Sequence, residues 1–308
     1  MIPALLRTID ERQIENSLFY LSKDPLPCRA LNVTLPGHAK CTLYEADDFI
    51  ESKLHSYGYA VEKELVPVQA FQYDDLVAHK FKKPAPDDPW YDAFNLYARK
   101  TGSVYPNEII VVIAHKDTQS WLSCAPGAHD NAIGTAATLE IARVLNHYQS
   151  QRSIWFIFCN EEHWRWTSEV AAKRLVESEY DTIAAINLDG IGGKSAEDKI
   201  ARRMLNVTRF TTPEGEKLAD LMAELNRSYN IGLIQRKHKA DFPNDDDGSF
   251  IKAGIPAAVL NIGSFPFAEP NYHTTEDHPE NVDIENARLA TRLTLAAVLH
   301  LDQHGKCH

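Results

Sequence analysis

The chain has 308 residues, of which 44% are hydrophobic and 24% are charged, as in an ordinary globular protein. Its formal net charge is 32 minus 43, or −11, and no run of Lys and Arg is long enough to follow a phosphate backbone, so we expect no nucleic-acid partner. No apolar stretch approaches the ~20 residues of a membrane helix, so we expect no membrane partner either.

The N-terminal third has helical and extended patterns. Helices are predicted over 10–22 and 43–58, followed by an alternating strand over 59–70 and a Pro- and Asp-rich surface segment over 82–92. The opening sequence, MIPALLRTIDERQIENSLFYL, has charged residues where a signal peptide has an unbroken apolar core. This favours a cytoplasmic location, and a secreted or periplasmic one stays open if the chain was trimmed.

From about residue 95 onward, strand-like and helix-like patterns alternate. A wholly apolar run over 109–114 predicts a strand that is covered on both faces. The further predicted elements are a helix over 130–148, strands over 153–159 and 183–188, a helix from Thr212-Pro213, a strand over 257–263 and a closing helix over 283–302. This alternation predicts a single α/β domain over 1–308, with a mixed, largely parallel central sheet and helices on both faces.

The cysteines are few and scattered. There are five in all, an odd number, and none of them form a CxxC pair. We therefore predict free thiols rather than a disulfide framework or a thiolate zinc site. A bridge between Cys28 and Cys41 is the alternative in an oxidising compartment.

Residues that commonly bind zinc follow the predicted strands or stand in adjoining loops. In an open α/β sheet, the ends of parallel strands meet at one edge, where ligands bind. One imidazole and one carboxylate for each of two metals, a bridging carboxylate and a further Glu for proton transfer would suit a two-metal hydrolase. The predicted metal ligands are His115, Asp130, Glu162, Asp189 and His273, with Glu161 as the general base.

Each of these positions also has an ordinary structural explanation. Asp117 could fix the ring of His115, two residues away on the same face, or could be a solvated strand end. Asp130 could be the N-cap of the following helix, which we weigh equally with a metal ligand. His129 is predicted to lie at the rim of the site. The metal hypothesis is favoured because it explains five separate positions together.

The Glu161-Glu162 pair follows a buried strand directly. Two adjacent carboxylates there would repel each other and lose solvent unless a positive charge lies nearby. A metal would hold one of them, which leaves the other to act as general base. An exposed acidic turn is the alternative.

The ordered set of motifs resembles the zinc-dependent aminopeptidase superfamily, which also includes glutaminyl-peptide cyclases, glutamate carboxypeptidases and transferrin receptors. The resemblance covers roughly residues 95 to 300. It rests on IIVVIAHKD, PGAHDNAIGTAATLEIARVL, SIWFIFCNEE, AAINLDGIGG, DDDGSFIKAGIPA and NYHT.

The resemblance implies a role for each candidate residue. His115 and Asp189 would be ligands of one zinc, and Asp130 would bridge the two ions. Glu162 and His273 would be ligands of the other zinc. Two further roles follow: Glu161 would be the general base and Asp117 the partner of His115. The Asp130-Asn131 peptide bond is similar to one that the family often holds in the cis form.

Some features are closer to the glutaminyl cyclases. The double Glu is followed by HWRWTS instead of a Gly-rich turn, and an acidic run stands at 245–247. By the resemblance, Asp245 and Asp246 could join the catalytic hydrogen-bond network. Trp164, Trp166 and Tyr272 are the predicted substrate-contacting residues. The cyclases bind a single zinc although they retain residues similar to all five ligands.

The leading prediction is a zinc aminopeptidase that acts on a peptide or a small amino-acid-derived substrate and binds two zinc ions. The alternative is a glutaminyl-peptide cyclotransferase with one zinc, which forms N-terminal pyroglutamate. A non-catalytic binding protein on the same fold is the third hypothesis.

Overall fold

The computed structural model describes residues 2–265 and 267–307. The helices are α1 (Ile2–Leu6), α2 (Glu11–Ser22), α3 (Thr42–Ser56), α4 (Ile133–Leu145), α5 (Ser168–Val176), α6 (Ala196–Ile200), α7 (Pro213–Ser228), α8 (Asp245–Ala253) and α9 (Ile284–His304). The strands are β1 (Val61–Ala70), β2 (Gln72–Tyr73), β3 (Phe81–Lys82), β4 (Trp90–Lys100), β5 (Tyr105–His115), β6 (Arg152–Cys159), β7 (His163–Trp164), β8 (Asp181–Leu188), β9 (Leu205–Phe210), β10 (Ile234–Lys239) and β11 (Ala258–Ile262).

The central sheet is mixed, as predicted. Its nine strands run in the order β10-β9-β11-β8-β5-β6-β4-β1-β7, and β2 and β3 form a separate hairpin. The four central strands β11, β8, β5 and β6 are parallel to one another. Strands β4, β1 and β7 extend the sheet on one side by antiparallel pairing. The parallel centre places several strand ends at one edge of the sheet, where the site lies.

Helices cover both faces of the sheet, which explains the apolar sequence of β5. Ile110 and Val112 pack in the larger hydrophobic core with α2, α4, α7 and α9. Ile109, Val111 and Ile113 point to the opposite face and pack with α5 and α8. Because alternate side chains of a strand face opposite sides, a strand buried on both faces is apolar at every position.

The helix predicted from residue 130 begins at Ile133. The preceding residues, Ala128–Ala132, form a π-helical turn in which Asp130 and Asn131 depart from helical backbone angles. The Asp130-Asn131 peptide bond is cis, as the resemblance implied. Asp130 is not the N-cap of α4, since that position belongs to Ala132 and has no side-chain cap. The side chain of Asp130 is therefore free for another role.

The prediction of five free cysteines was wrong. Cys28 and Cys124 form a disulfide, while Cys41, Cys159 and Cys307 are free thiols. The two bridged residues are 96 positions apart, so their proximity is a tertiary effect that spacing in the sequence does not reveal. Next to this bridge, the buried guanidinium of Arg29 donates to the carbonyls of Lys116, Pro126 and Gly127. The segment between α2 and α3 thus fixes the loop that follows β5.

Across the residues that the structure describes, none of the helices has both the length and the apolar character needed to cross a bilayer.

Candidate metal centre

The predicted metal ligands converge at the carboxyl ends of the central strands. His115 is the last residue of β5, Asp189 follows β8 directly, and Glu161 and Glu162 follow β6 after one intervening residue. Asp130 reaches the same place from the π-helical turn before α4. His273 lies on the loop between β11 and α9 and has a left-handed backbone, with φ +55°. Five positions that are far apart in the sequence thus meet at one site.

Asp130 lies between the two histidines. His115 Nε2 is 3.1 Å from Asp130 Oδ1 and 3.7 Å from Asp189 Oδ1. His273 Nε2 is 2.9 Å from Asp130 Oδ2 and 3.3 Å from Glu162 Oε1. Two groups result, His115–Asp130–Asp189 and Asp130–Glu162–His273, each with its ligand atoms within 4.8 Å of one another. They share Asp130, which presents one oxygen to each group.

The residues of both groups fit metal ions. All five side chains are buried, which is costly for carboxylates without a nearby cation. Burial and the charge of Asp130 raise the pKa of Glu162 to about 7, and burial raises the pKa of Asp189 to about 6. The Nδ1 atom of His273 donates to the carbonyl of His79 at 3.1 Å, which turns its Nε2 atom towards the carboxylates of Asp130 and Glu162. Imidazole and carboxylate donors without sulfur suit a catalytic zinc.

Asp117 contacts His115, as predicted, and it also accepts hydrogen bonds from His163 and from the backbone of the double Glu. Its Oδ1 lies 3.2 Å from His115 Nδ1 and accepts the backbone N–H of Glu161 at 2.9 Å. Its Oδ2 accepts the backbone N–H of Glu162 at 2.9 Å and the Nδ1–H of His163 at 2.7 Å. One buried carboxylate therefore orients a metal ligand and the backbone of the double Glu at the same time. The role of His163 was missed, because nothing in its sequence position distinguishes it.

Glu161 points away from its neighbour Glu162 and towards α8. Its Oε2 accepts the backbone N–H of Asp246 at 3.2 Å, while Glu162 faces His273. Burial and the charges of Asp246 and Asp245 raise the pKa of Glu161 well above its usual value. Burial also raises the pKa of Asp246 to about 7. The raised pKa values of both carboxyls favour their protonated forms, which suits proton exchange in general acid–base chemistry.

Asp245 is held by a residue that the sequence did not reveal. The guanidinium of Arg209, at the carboxyl end of β9, lies 2.6 Å from Asp245 Oδ2 and 3.2 Å from Asp247 Oδ1. Asp245 has a left-handed backbone, with φ +61°, at the start of α8. Asp246 thus contacts Glu161 through its backbone N–H, and Arg209 balances part of the charge of Asp245 and Asp247.

The prediction that His129 lies at the rim was wrong. Its side chain is 2% exposed, and its Nδ1 lies 2.6 Å from Asp277 Oδ1. Asp277 also accepts the backbone N–H of His129 at 3.0 Å and that of Asp130 at 3.2 Å. It therefore fixes the backbone that carries Asp130. The acidic run after His273 was the only sequence signal for Asp277.

A cavity of about 260 Å³ opens beside Glu161, Glu162 and His273. Trp166 and Tyr272, two of the three predicted substrate contacts, line it, and the ring of Tyr272 stacks on His273 at a centroid distance of 3.8 Å. The other lining residues are His79, Phe81, Phe242, Asn244, Asp245 and Phe267. His79 and Phe81 come from the β2–β3 segment, which the sequence did not connect with the site.

Trp164, the third predicted substrate contact, is not part of the cavity wall. It pairs with Gln69 in the sheet, and its ring packs 6.3 Å from that of Phe71 and beneath the ammonium of Lys83. The side chain of Trp164 thus supports the edge of the sheet.

The chain is similar to known proteins in sequence and in fold. The model of Peptidase family M28 matches residues 95–298. A probable zinc metalloprotease of Pyrenophora teres f. teres is 26% identical over 274 residues, which cover 78% of this chain and 53% of that protein. The crystal structure of the Legionella pneumophila LapA aminopeptidase has a TM-score of 0.75 and 21% identity, over 98% of this chain and 74% of that one. A Bacteroides thetaiotaomicron glutaminyl cyclase bound to N-acetylhistamine has a TM-score of 0.71 and 18% identity, over 95% of this chain and 98% of that one.

The mixed sheet, with histidines and carboxylates gathered at the ends of its parallel strands, defines an α/β protein with two groups of side chains that could hold metal ions. The chain belongs to Peptidase family M28, whose model matches well over half of it. It spans about half the length of the curated relatives it matches.

Proposed function

We propose that the protein is a zinc-dependent exopeptidase, and specifically an aminopeptidase that binds two zinc ions. The observation that carries this proposal is the pair of three-residue groups that share Asp130. A shared carboxylate between two histidine-containing groups is the arrangement that a two-metal hydrolase needs. Membership of a peptidase family supports the same reaction class.

Each group of ligands would hold one zinc ion. His115 and Asp189 would hold one ion, Glu162 and His273 the other, and Asp130 both. Bound zinc supplies a Lewis acid that polarises a carbonyl and lowers the pKa of water.

Glu161 is the proposed proton carrier. It lies beside Glu162 but contacts the backbone of Asp246 rather than the metal groups. It would take a proton from the attacking water and pass it to the leaving amine. Its raised pKa suits this exchange, because a carboxylate with an ordinary pKa is a weak base at neutral pH.

The excess of buried carboxylates supports exopeptidase rather than endopeptidase activity. Asp189, Asp245 and Glu161 face the site from three different elements, and of these Asp245 is paired with Arg209. A free α-ammonium of the substrate would be attracted to them, whereas an internal peptide bond offers no such charge. Cleavage would therefore be restricted to the N-terminal residue.

Glutaminyl cyclisation is the second candidate, and the aromatic surroundings of His273 favour it. Tyr272 stacks on this ring, and Trp121 contacts it edge-on at 5.0 Å. Aromatic surroundings of this kind would suit an intramolecular attack by the substrate's own amine, in which no water takes part. One zinc on Asp130, Glu162 and His273 would then suffice, with Glu161 moving the proton to the departing ammonia. The third hypothesis, a non-catalytic binding protein, is less favoured because all predicted metal ligands and Glu161 are present.

Metal content and product analysis separate the candidates. We expect about two zinc ions per chain by mass spectrometry, together with release of free amino acid from aminoacyl anilides. One zinc per chain, with ammonia released from a peptide that begins with Gln, would instead support the cyclase. Neither product from the zinc-loaded protein would support the binding protein.

The substitution Glu161→Gln tests the assignment of the base. We expect turnover to fall by at least about 100-fold while zinc content stays nearly unchanged, since Gln keeps the shape but cannot carry the proton. Glu177→Gln, the same change at an exposed residue of the α5 C-terminus, is the matched control. Loss of zinc in the Glu161 variant would show that the roles of Glu161 and Glu162 are reversed.

A further inference from the structure

Three cations gather around the two Trp residues that follow the double Glu. Lys83 Nζ lies over the ring of Trp164, 4.1 Å from its centroid, and Lys252 Nζ lies 5.7 Å from the centroid of Trp166. Arg165 stands between the two Trp residues in the sequence. The cations come from three separate segments, since Lys83 follows β3, Arg165 follows β7 and Lys252 belongs to α8. We refer to Lys83, Arg165 and Lys252 as the cationic cluster.

The cationic cluster adjoins the cavity beside Glu161, Glu162 and His273. Trp166, the neighbour of Arg165, lines that cavity, and so does Phe81, two residues before Lys83. The side chains of all three cations are exposed. The cluster therefore lies beside the cavity wall on the solvent side.

The charges of the cluster are not balanced by the described part of the chain. Among residues 2–265 and 267–307, no carboxylate lies within ion-pair distance of any of the three cations. The neighbouring Lys82, by contrast, is paired with Asp74 at 3.8 Å. The three charged groups are therefore available to an anionic group of a ligand.

The inner wall of the same cavity carries the opposite charge. Glu161, Glu162 and Asp245 line it, and Glu162 belongs to one of the two metal groups. A peptide with both ends free has an ammonium at one end and a carboxylate at the other. The inner carboxylates would attract the ammonium, and the cationic cluster would attract the carboxylate. The charges on the two sides of the cavity thus match a short peptide with free termini.

The distances in this part of the chain suit a peptide of two or three residues. Arg165 is three positions after Glu162, so their Cα atoms are at most about 11 Å apart. An extended dipeptide or tripeptide spans about 7–11 Å. The cavity volume of about 260 Å³ lies just below the ~300–1,000 Å³ of sites that enclose a drug-sized ligand. A longer peptide would carry its terminal carboxylate past the cluster.

We propose that the protein selects peptides of two or three residues, and that Lys83, Arg165 and Lys252 bind the C-terminal carboxylate of the peptide. The inference rests on the proposed aminopeptidase function and names its substrate class. Exposed charges at the edge of a site act mainly on substrate capture, and salt screens them. The effect is therefore expected in KM and kcat/KM, and it decreases as the salt concentration rises.

Peptides with a free or an amidated C-terminus test this selection. Release of Leu from Leu-Ala and from Leu-Ala amide by the zinc-loaded protein gives kcat/KM for the same scissile bond. We expect the free acid to exceed the amide by about fivefold or more, and the ratio to shrink in about 0.5 M salt. Equal rates, or a faster amide, would overturn the proposal while leaving the aminopeptidase function intact.

Two further substrate pairs test the length of the peptide and the source of the carboxylate. A pentapeptide that begins with Leu should be cleaved as fast as its amide, because its terminal carboxylate lies beyond the cluster. A pentapeptide ratio as large as that of Leu-Ala would overturn the selection of short peptides. So would a preference for Leu-Glu amide over Leu-Gln amide without one for Leu-Ala, since the cluster would then bind an acidic side chain.

The double variant Lys83→Gln/Arg165→Gln removes two charges of the cluster. We expect the ratio of kcat/KM for Leu-Ala to that for its amide to fall towards one. A purely structural role would lower both values together and preserve the ratio. Lys173→Gln/Lys306→Gln removes two exposed cations elsewhere, and this matched control should keep the wild-type ratio. A wild-type ratio in the Lys83/Arg165 variant would mean that the carboxylate is bound outside the cluster.

A binding measurement separates failure of this inference from failure of the proposed function. If the zinc-loaded wild-type protein releases no amino acid from either dipeptide, the affinities of Leu-Ala and Leu-Ala amide are compared by calorimetry. Tighter binding of the free acid, by about fivefold or more, would support the cationic cluster even though the catalytic proposal fails. Equal affinities would overturn it.

Discussion

At the scale of single residues, Asp117 is the centre of the hydrogen bonds around the metal site. It touches no substrate cavity, yet it contacts His115 and His163 and accepts the backbone N–H groups of Glu161 and Glu162. Both metal groups therefore depend on it, one through a ring and the other through the backbone. Such partners commonly change metal affinity when they are replaced.

We predict that Asp117→Asn weakens zinc binding by about 10–100-fold. Asparagine has one acceptor oxygen, so it cannot serve all four donors, and its NH₂ group would face two of them. Competition with a chromophoric chelator measures the affinity. Asp87→Asn, at an exposed loop position, is the control and should leave it unchanged. Wild-type affinity in the Asp117 variant would show that His115 is oriented by other contacts.

Zinc binding should also release protons. Burial and Asp130 raise the pKa of Glu162 to about 7. Burial alone would lower the pKa of His273, but Glu162 and Asp130 outweigh it and raise that pKa to about 10. Zinc needs the carboxylate and the neutral ring, whereas the metal-free protein at pH 7 holds a proton on the ring of His273 and a proton on Glu162 for about half of the time. We therefore predict that the apparent affinity rises with pH, by about tenfold per unit for each proton released near neutral pH.

Calorimetry at pH 7 in two buffers of different ionisation enthalpy checks the proton release. The observed binding enthalpies should differ by the number of released protons times the difference between the buffers. Identical enthalpies in both buffers would mean that Glu162 and His273 already have their metal-binding protonation states in the metal-free protein.

At the scale of elements, the loop after β5 is tied to the N-terminal segment. Cys28 and Cys124 are bridged, and Arg29 donates to three carbonyls of the same loop. This loop also carries Gln119, which donates to Asp130 Oδ2 at 2.8 Å, and Trp121, which contacts His273. The bridge therefore supports contacts of both metal groups.

We predict that the double variant Cys28→Ser/Cys124→Ser lowers the free energy of unfolding by about 2–5 kcal/mol, because the bridge closes a long loop in the unfolded chain. Denaturant unfolding of the zinc-loaded protein measures the change. Cys41→Ser is the control, since Cys41 is a free thiol. Peptide mapping that found Cys28 alkylated in the native, unreduced protein would contradict the bridge itself.

The sequence predicted those parts of the site that follow from strand periodicity. His115, Asp189 and the double Glu were located because an apolar run ends just before each of them, and strand ends meet at one edge. His129, His163, Arg209 and Asp277 were missed or misplaced because their partners come from distant segments. The same reason explains the Cys28–Cys124 bridge. Asp130 could be predicted only in part, because the sequence favoured a helix N-cap and a metal ligand equally. The structure excludes the N-cap, since Asp130 lies in the π-helical turn before α4.

At the scale of the whole molecule, many acidic side chains are buried beside one edge of the sheet. Burial raises the pKa of Asp189 to about 6 and that of Glu162, Asp246 and Asp247 to about 7. Burying these carboxyls costs free energy, which the hydrophobic cores on both faces of the sheet offset. The same cores hold the strand ends in place. The architecture therefore concentrates negative charge where only cations or protons can balance it. That residues 1–308 form one domain stays a prediction.

We predict that metal removal destabilises the protein more as pH rises from about 5 to 8. In that range the folded metal-free protein binds more protons than the unfolded chain, since the raised pKa values of these carboxyls and of His273 hold protons that the unfolded chain has lost. Stability of the metal-free form therefore falls as pH rises. Bound zinc replaces those protons, and at ~1,000 times its Kd it would add about 4 kcal/mol.

Thermal unfolding at pH 5 and pH 8, with zinc or with a chelator, measures this difference. The Tm gap between the two forms should be wider at pH 8, and excess zinc added after the chelator should restore the higher Tm. A Tm difference between the zinc-bound and metal-free forms that is equal at both pH values, or smaller at pH 8, would contradict this. It would mean that other groups of the chain balance the negative charge of the carboxylates at the strand ends. In that case Arg209, near the end of β9, and Lys116, just after β5, are two buried cations to substitute first.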